Sequence, residues 1–137
     1  MKEVVGSIYP SLYYEDAHAA IAWLERVFGF RRRLVVPGDG GTVRHAELSC
    51  ESGVIMVASI RAESGCSSPR SLGGVCSGLS LRISDPDAHA ARAKAAGAEI
   101  LRDVQDEDYG SRGYMVRDLE GHHWYFGTYT PGEHWTE

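Results

Sequence analysis

A duplicated hairpin limits what this chain can fold into more than any other feature of the sequence. Its clearer copy lies between Arg112 and Tyr129, where two runs rich in apolar and aromatic residues flank the turn Asp118–Gly121. A weaker copy lies between Arg44 and Ala58, and Arg44 is as far from Gly53 as Arg112 is from Gly121. The sequence therefore predicts two copies of one structural unit.

A helix is predicted ahead of each hairpin. The first follows Asp16, a residue suited to cap it, and ends at Gly29; the second follows Asp85 and ends at Gly97. Each helix is preceded by one strand and followed by three. The strands predicted outside the hairpins cover residues 7–14, 30–36, 78–84 and 99–104.

These elements predict an α+β protein made of two βαβββ modules. The first module covers residues 1–60 and the second covers residues 78–129. Residues 61–77 are rich in Ser, Gly and Arg without periodicity, which is typical of a linker or mobile loop. Residues 105–110 are predicted to form an acidic loop, and residues 130–137 a C-terminal tail.

The composition of the chain limits the classes of partner that it is expected to bind. The 137 residues carry 14 Lys and Arg against 19 Asp and Glu, a formal net charge of −5, which argues against nucleic acid and anionic membranes and favours a cationic or neutral small ligand. The three cysteines lack a C-x-x-C spacing, and neither a signal-peptide core nor a membrane-spanning run is found. A cytoplasmic protein without disulfides or membrane anchoring is expected.

Alternation along the strands assigns residues to a shared cavity. Trp124 and Phe126 are predicted to pack beneath the helices, so their neighbours on the same strand face the other way. The resulting surface is aromatic with a few polar groups, which suits a flat organic ligand. The residues predicted to face this cavity are Tyr9, Ser11, Tyr13, His45, Glu47, Gly78, Ser80, Arg82, His123, Tyr125 and Gly127.

The segments DAHAAIAWLERVFGF, RHAEL and YGSRGYMVRDLEGHHWYFGTY resemble the vicinal oxygen chelate superfamily, and in particular its glyoxalase/bleomycin-resistance-like members. The superfamily also includes glyoxalase I, fosfomycin-resistance proteins and extradiol dioxygenases. The resemblance implies that the two βαβββ modules form a cup-shaped mixed or antiparallel sheet. It also implies that a ligand or metal sits in the cup, which in this family is often completed by a homodimer.

The family's metal enzymes place His, Glu or Gln ligands on the first and fourth strands of each module. The corresponding positions here are Tyr9, Met56 (or Val57, if the turn is aligned one residue differently), Gly78 and Tyr125. A phenol, a thioether and a glycine supply neither the charge nor the basicity that a divalent ion requires. The resemblance thus implies the cup but no metal site of the usual kind, and we expect no metal cofactor.

Several side chains allow two interpretations. His45 and Glu47 could form an acid/base pair, although ordinary polar pairing on a strand is favoured. Tyr109 and Arg112 flank the loop before the second hairpin, where they could close over a ligand; a surface salt bridge from Arg112 to Asp106 or Asp108 is the alternative. The cavity tyrosines could equally be core.

His122 and His123 are adjacent and therefore point to opposite faces of the strand. Solvent is predicted for His122 and the cavity wall for His123.

The favoured function is a metal-free binding protein that sequesters a hydrophobic or aromatic small molecule, an antibiotic being one candidate. Aromatic stacking would supply affinity, with Arg82, Glu47 or Arg112 orienting the ligand. The alternative is a lyase, isomerase or dioxygenase of the same superfamily that is metal-free or uses displaced ligands such as His45, Glu47 and His123. A third possibility is a domain that binds another protein through its acidic surface.

Overall fold

A computed structural model describes residues 8–136 and contains two four-stranded mixed sheets. The strand orders are β1-β4-β3-β2 and β5-β8-β7-β6. The strands are β1 Ser11–Tyr14, β2 Arg31–Pro37, β3 Val43–Cys50, β4 Gly53–Ser59, β5 Gly78–Arg82, β6 Glu99–Asp106, β7 Arg112–Arg117 and β8 His123–Gly127; the α-helices are α1 Ala17–Trp23, α2 Pro69–Leu72 and α3 Pro86–Ala95.

The two sheets have the same internal topology, which confirms the predicted α+β fold with duplicated βαβββ order. In each, the first strand runs parallel to the fourth, and the third and fourth strands form an antiparallel hairpin. In each half, a helix and two strands connect the first strand to the fourth. A connection of this length allows the two strands to run parallel.

Helix boundaries follow the predicted capping residues. Asp16 Oδ1 accepts the Ala19 amide at 3.1 Å, and Asp85 Oδ1 accepts the Ala88 amide at 3.0 Å. Helix α1 continues as a π-helical turn, Leu24–Phe28, and ends at Gly29, whose φ of 79° is the left-handed conformation that favours glycine.

The apolar sides of the helices cover one face of each sheet, and an aromatic cluster joins the two halves. The Phe28 ring, from the end of the first helix, lies 4.7 Å from the Phe126 ring and 5.5 Å from the Trp124 ring. Phe30 also meets Trp124, at 5.6 Å between ring centroids. Aromatic side chains bury large areas. This cluster belongs to a single hydrophobic core that includes residues of both sheets.

The turn of the second hairpin carries two buried carboxylates that bind the first half of the chain. Asp118 Oδ2 accepts the Tyr14 hydroxyl at 2.6 Å and the Trp124 indole N–H at 3.2 Å. Glu120 accepts the backbone amides of Glu15 and Asp16, at 2.7 and 3.0 Å, just ahead of α1. The second hairpin is thereby fastened to the N-terminus of the first helix.

The first hairpin makes the reciprocal connection. Glu51, in the turn between β3 and β4, accepts the Ser84 amide at 2.9 Å, just ahead of α3. Each hairpin turn therefore places a glutamate at the start of the other half's helix, where exposed amides and the helix dipole favour negative charge.

The first strand is shorter than the sequence indicated. It begins at Ser11, because Pro10 has no amide hydrogen to continue the ladder, although the Pro10 carbonyl still accepts the Met56 amide at 2.9 Å. Ser7, where the strand was predicted to start, lies outside the described residues. At the other end of the chain, β6 extends to Asp106 and takes in the first two residues of the predicted acidic loop.

The segment predicted to be a linker, residues 61–77, is bonded to both halves. It contains the short helix α2, and Ser68 is fully buried. The Ser68 hydroxyl donates to Glu120 at 2.6 Å, and the Ser71 hydroxyl donates to Glu15 at the same distance. Within residues 8–136, no helix is both long enough and apolar enough to cross a bilayer.

Replacing Asp118 with alanine tests the buried turn. The Asp118→Ala variant leaves the Tyr14 hydroxyl, the Trp124 N–H and the backbone amides of Glu120, Gly121 and His122 without their acceptor. We expect the free energy of unfolding, measured in urea, to fall by about 3 kcal/mol or more.

Asp103→Ala is the matched control, because Asp103 pairs with Lys94 at the surface with its side chain 72% exposed. It should cost no more than about 1 kcal/mol. Equal losses in the two variants would contradict the role assigned to the turn.

Candidate ligand-binding site

Helices cover one face of each sheet. No helix of the described chain covers the other face, which we call the open face. Strand pairing places Ser11, Met56, Glu47 and Leu34 in one row across the open face of the first sheet. The equivalent row of the second sheet is Ser80, Tyr125, Met115 and Arg102. Ser11 and Ser80 stand the same distance before the capping aspartates, so the two rows correspond position by position.

The open face of the first sheet brings together four of the predicted site residues. Tyr13, His45, Glu47 and Met56 are all partly exposed there, and His45 Nε2 lies 2.8 Å from Glu47 Oε2. Val57, the alternative fourth-strand position, is 1% exposed within the core. Met56 is therefore the fourth-strand residue that a ligand in the cup would meet.

The open face of the second sheet is built around Tyr125. Its hydroxyl donates to Glu107 Oε2 at 2.8 Å and lies near Tyr109. Arg102 donates to both oxygens of Glu107, at 2.9 and 2.6 Å, and its guanidinium carbon lies 5.9 Å from the centre of the Tyr125 ring. Tyr125, Glu107 and Arg102 form one network of donors and acceptors.

Two glycines allow Tyr125 to lie flat on the sheet. A Cβ on Gly113 would stand 2.5 Å from Tyr125 Cζ, and one on Gly127 would stand 2.8 Å from Tyr125 Cε1. Any larger residue at either position would push the ring off the strands. Tyr125 therefore forms a flat aromatic surface, a shape suited to stacking against a planar ligand.

The charges of this network are strongly coupled. The hydrogen bonds from Arg102 hold the pKa of Glu107 at about 2, well below its usual 4.5, although its side chain is only 6% exposed. Burial, reinforced by the bond to Glu107, raises the pKa of Tyr125 far above its usual value. At neutral pH Tyr125 is thus a neutral donor already bound to a carboxylate.

The displaced metal ligands predicted from sequence do not converge within the chain. His45 and Glu47 lie on the first sheet, whereas His123 lies on the second and faces the Arg117 guanidinium at 3.3 Å. In the part of the chain that the structure describes, no three His, Cys, Asp or Glu side chains are grouped so as to hold a metal ion. The residues present do not fit the metal that this fold commonly carries.

Arg112 is not on an open face. It donates to both oxygens of Asp87, at 2.9 and 2.8 Å, and to Asp106 at 3.0 Å. Arg112 thus lies in surface salt bridges outside both open faces, and closing over a ligand stays a prediction. The salt-bridge alternative is confirmed with Asp106, and the bond to Asp87 of α3 was not visible in the sequence because it depends on how the helix packs.

Tyr9 and His122 also lie elsewhere than predicted. Tyr9 lines a separate cavity of about 390 Å³ between the two sheets, beside Gly78 and Trp124. His122, predicted to face solvent, packs edge-on against Tyr14 and lies 3.1 Å from the Tyr13 carbonyl. By contrast, Arg82 is exposed on the open face of the second sheet, as predicted.

Sequence reasoning missed Arg102, Glu107, Met115 and Leu34. Met115 could have been found, because it pairs with Tyr125 across a regular hairpin. Arg102 and Leu34 lie beside irregularities in β6 and β2, which shift the alternation that assigns faces. Glu107 lies in a loop, where period-two reasoning does not apply.

Comparison with known proteins agrees with this architecture. Residues 6–126 match the family described as the Glyoxalase/Bleomycin resistance protein/Dioxygenase superfamily. The chain belongs to this superfamily. That membership confirms the resemblance found in the sequence and the predicted fold.

Individual relatives extend the comparison. Protein Mb0911c of Mycobacterium bovis is 33% identical over 127 residues, covering 90% of this chain and 84% of its own length. The crystal structure of TioX from Micromonospora sp. ML1 is 38% identical, with a TM-score of 0.72, and the match covers 89% of this chain and 94% of TioX. The fosfomycin resistance protein FosX from Listeria monocytogenes shares the fold at 15% identity and a TM-score of 0.68, covering 97% of this chain and all (100%) of FosX.

Glu107→Gln tests the network around Tyr125. Because the folded state lowers the pKa of Glu107, ionised Glu107 stabilises the protein above about pH 4.5, and this contribution is lost as the pH falls towards 2. The variant should be less stable than the wild type at pH 7. Its free energy of unfolding should also change less steeply between pH 4.5 and 2, as measured by urea unfolding at a series of pH values.

Arg102→Gln should also make the free energy of unfolding change less steeply between pH 4.5 and 2. The double variant should lose little more stability than either single variant. Additive effects in this double-mutant cycle would contradict direct coupling between Arg102 and Glu107.

Proposed function

We propose that this protein binds and sequesters a hydrophobic or flat aromatic small molecule on its open faces, without using a metal ion. The observation that carries the proposal is the pair of fourth-strand positions at the centre of the two faces. Met56 supplies a polarisable thioether, and Tyr125 supplies a flat ring whose hydroxyl is already bound to Glu107. Both groups favour contact with an apolar surface over coordination of an ion.

The surroundings of these two residues support a binding role. Tyr13 and His45 share the face of Met56, and Ser80, Arg82 and His123 share that of Tyr125. Apolar surface combined with a few polar groups is typical of small-molecule sites, where burial supplies affinity and hydrogen bonds supply orientation.

The donor set argues against the metal-dependent reactions of the superfamily. A divalent ion in such a site needs imidazole or carboxylate ligands to hold it and to polarise a substrate oxygen. Ser11 pairs with Met56 and Ser80 pairs with Tyr125 across the first and fourth strands, and none of these side chains is an imidazole or a carboxylate. Stoichiometric binding is the function that these side chains support best.

We further propose that two copies of the chain close the cup. Large apolar side chains are exposed on or beside the open faces, where Leu34 is 45% exposed, Met115 40% and Leu101 39%. Large apolar side chains left exposed on the surface of a protein often mark an interface. A second copy that covers part of each face would also enclose a ligand between sheets of different chains. The three free thiols suit the reducing cytoplasm, where we propose that the protein acts.

Binding can be tested with the neutral aromatic probe N-phenyl-1-naphthylamine. We expect saturable binding, seen as enhanced probe fluorescence and a raised midpoint of thermal unfolding, because a ligand that binds only the native state stabilises it. Binding should survive exhaustive dialysis against EDTA. Antibiotics and aromatic metabolites can then be screened as competitors that displace the probe.

Tyr125→Ala should weaken probe binding about tenfold, from the loss of one stacking surface. Leu72→Ala is the control, since Leu72 is 70% exposed in α2 and lies away from both open faces. A probe that binds both variants equally, or binding that disappears with EDTA, would contradict the proposal.

Sedimentation equilibrium tests the dimer. The wild type should sediment at twice the mass of the chain, and a Leu34→Glu and Met115→Glu double variant should shift towards monomer, because burying unpaired charges at an interface is unfavourable. A monomeric wild type at micromolar concentration would overturn this part of the proposal, and probe binding to that monomer would leave the binding role intact.

A further inference from the structure

A small recess on the open face of the first sheet differs in charge from the protein as a whole. It has a volume of about 130 Å³, and its walls include Tyr13, Arg44, His45, Met56 and Arg61. The lining of one recess thus includes two arginines and a histidine, in a chain whose formal net charge is −5.

Among residues 8–136, neither arginine of the recess pairs with a carboxylate. Arg61 donates to the Arg44 backbone carbonyl at 2.6 Å and makes no ion pair within residues 8–136. Among the same residues, the Arg44 side chain has neither a hydrogen bond nor an ion pair. Five other arginines, Arg32, Arg70, Arg102, Arg112 and Arg117, are paired with carboxylates. Arg26, Arg31, Arg33, Arg82 and Arg92 also have no ion pair among the described residues, so it is the convergence of Arg44 and Arg61 on one recess that distinguishes them.

The other groups of the recess can also donate hydrogen bonds. The Cys66 thiol beside Tyr13 raises the pKa of Tyr13, so the phenol stays neutral. Glu47, the carboxylate on the same face, is bonded to His45 at 2.8 Å and does not line the recess. The recess therefore combines cationic groups with a neutral phenol, and no carboxylate of the described residues occupies it.

We propose that this recess binds an acidic group, such as a carboxylate, sulfonate or phosphate, of a ligand whose apolar part lies on the open face. The inference rests on the proposed binding function and adds the chemical class of the ligand. Guanidinium groups suit such anions because they present several donors in one plane. This differs from the cationic or neutral ligand that net charge suggested, since a ligand responds to the local potential in its site and not to the total charge.

Two probes with the same ring system separate this inference from the function on which it rests. 8-Anilinonaphthalene-1-sulfonate carries an acidic group, and N-phenyl-1-naphthylamine is its neutral counterpart. At low salt, the wild type should bind the sulfonate more tightly than it binds the neutral probe. Arg44→Gln should weaken sulfonate binding about fivefold or more and leave the neutral probe unaffected, because it removes a charge without removing apolar surface.

Arg26→Gln is the matched control. It removes the same charge from an exposed position on the last turn of the first helix, away from the recess, and should leave both affinities unchanged. Arg61→Gln should act like Arg44→Gln, and the thermal midpoint of each free variant shows that it remains folded.

Cysteine alkylation supplies an independent readout. The sulfonate probe should slow the reaction of Cys66 with iodoacetamide and leave that of exposed Cys76 unchanged, as followed by peptide mass spectrometry. Burial raises the pKa of Cys50 to about 11, so this thiol should react slowly throughout.

Equal affinity for the two probes, or loss of sulfonate binding in Arg26→Gln as well, would overturn the acidic-group site while the binding function stands. Failure of both probes to bind would overturn the proposed function and this inference with it.

Discussion

Two buried carboxylates in one turn hold the two halves of this protein together. The Glu120 side chain is 0% exposed, and Asp118 is buried beside it. Buried carboxylates are tolerated only when hydrogen bonds replace the water they lose. Here the replacement comes from the Tyr14 hydroxyl, the amides ahead of α1, and Ser68. The requirement to satisfy these two groups therefore links the second hairpin to the first helix and to the segment between the modules.

This linkage decides which surfaces remain available for binding. Because the turns bind the helix N-termini of the opposite half, the helices and the aromatic cluster around Phe28 lie between the sheets. No helix among residues 8–136 covers the opposite face of each sheet. The candidate site is thus a consequence of how the core is closed.

The two open faces share a plan and differ in charge. In the second sheet, Glu107 neutralises Arg102 and holds the Tyr125 hydroxyl, so the Tyr125 ring presents a neutral aromatic surface, with Arg82 exposed on the same face. In the first sheet, Arg44 and Arg61 pair with no carboxylate among residues 8–136, and both line the recess beside Tyr13. A ligand with one acidic end and one flat aromatic end would match this difference if the two kinds of face met across a dimer.

Local sequence patterns determined much of the fold. Helix capping by Asp16 and Asp85 depends on residues only a few positions apart. The same is true of the hairpin spacing and of the alternation by which Tyr125 and Trp124 point to opposite faces of the sheet. Only the tertiary structure decided that Arg112 pairs with Asp87, that His122 is covered by Tyr14, and that Arg44 and Arg61 share one recess. These contacts join segments distant in sequence, and two depend on loops or helix packing, where no periodicity relates one side chain to another.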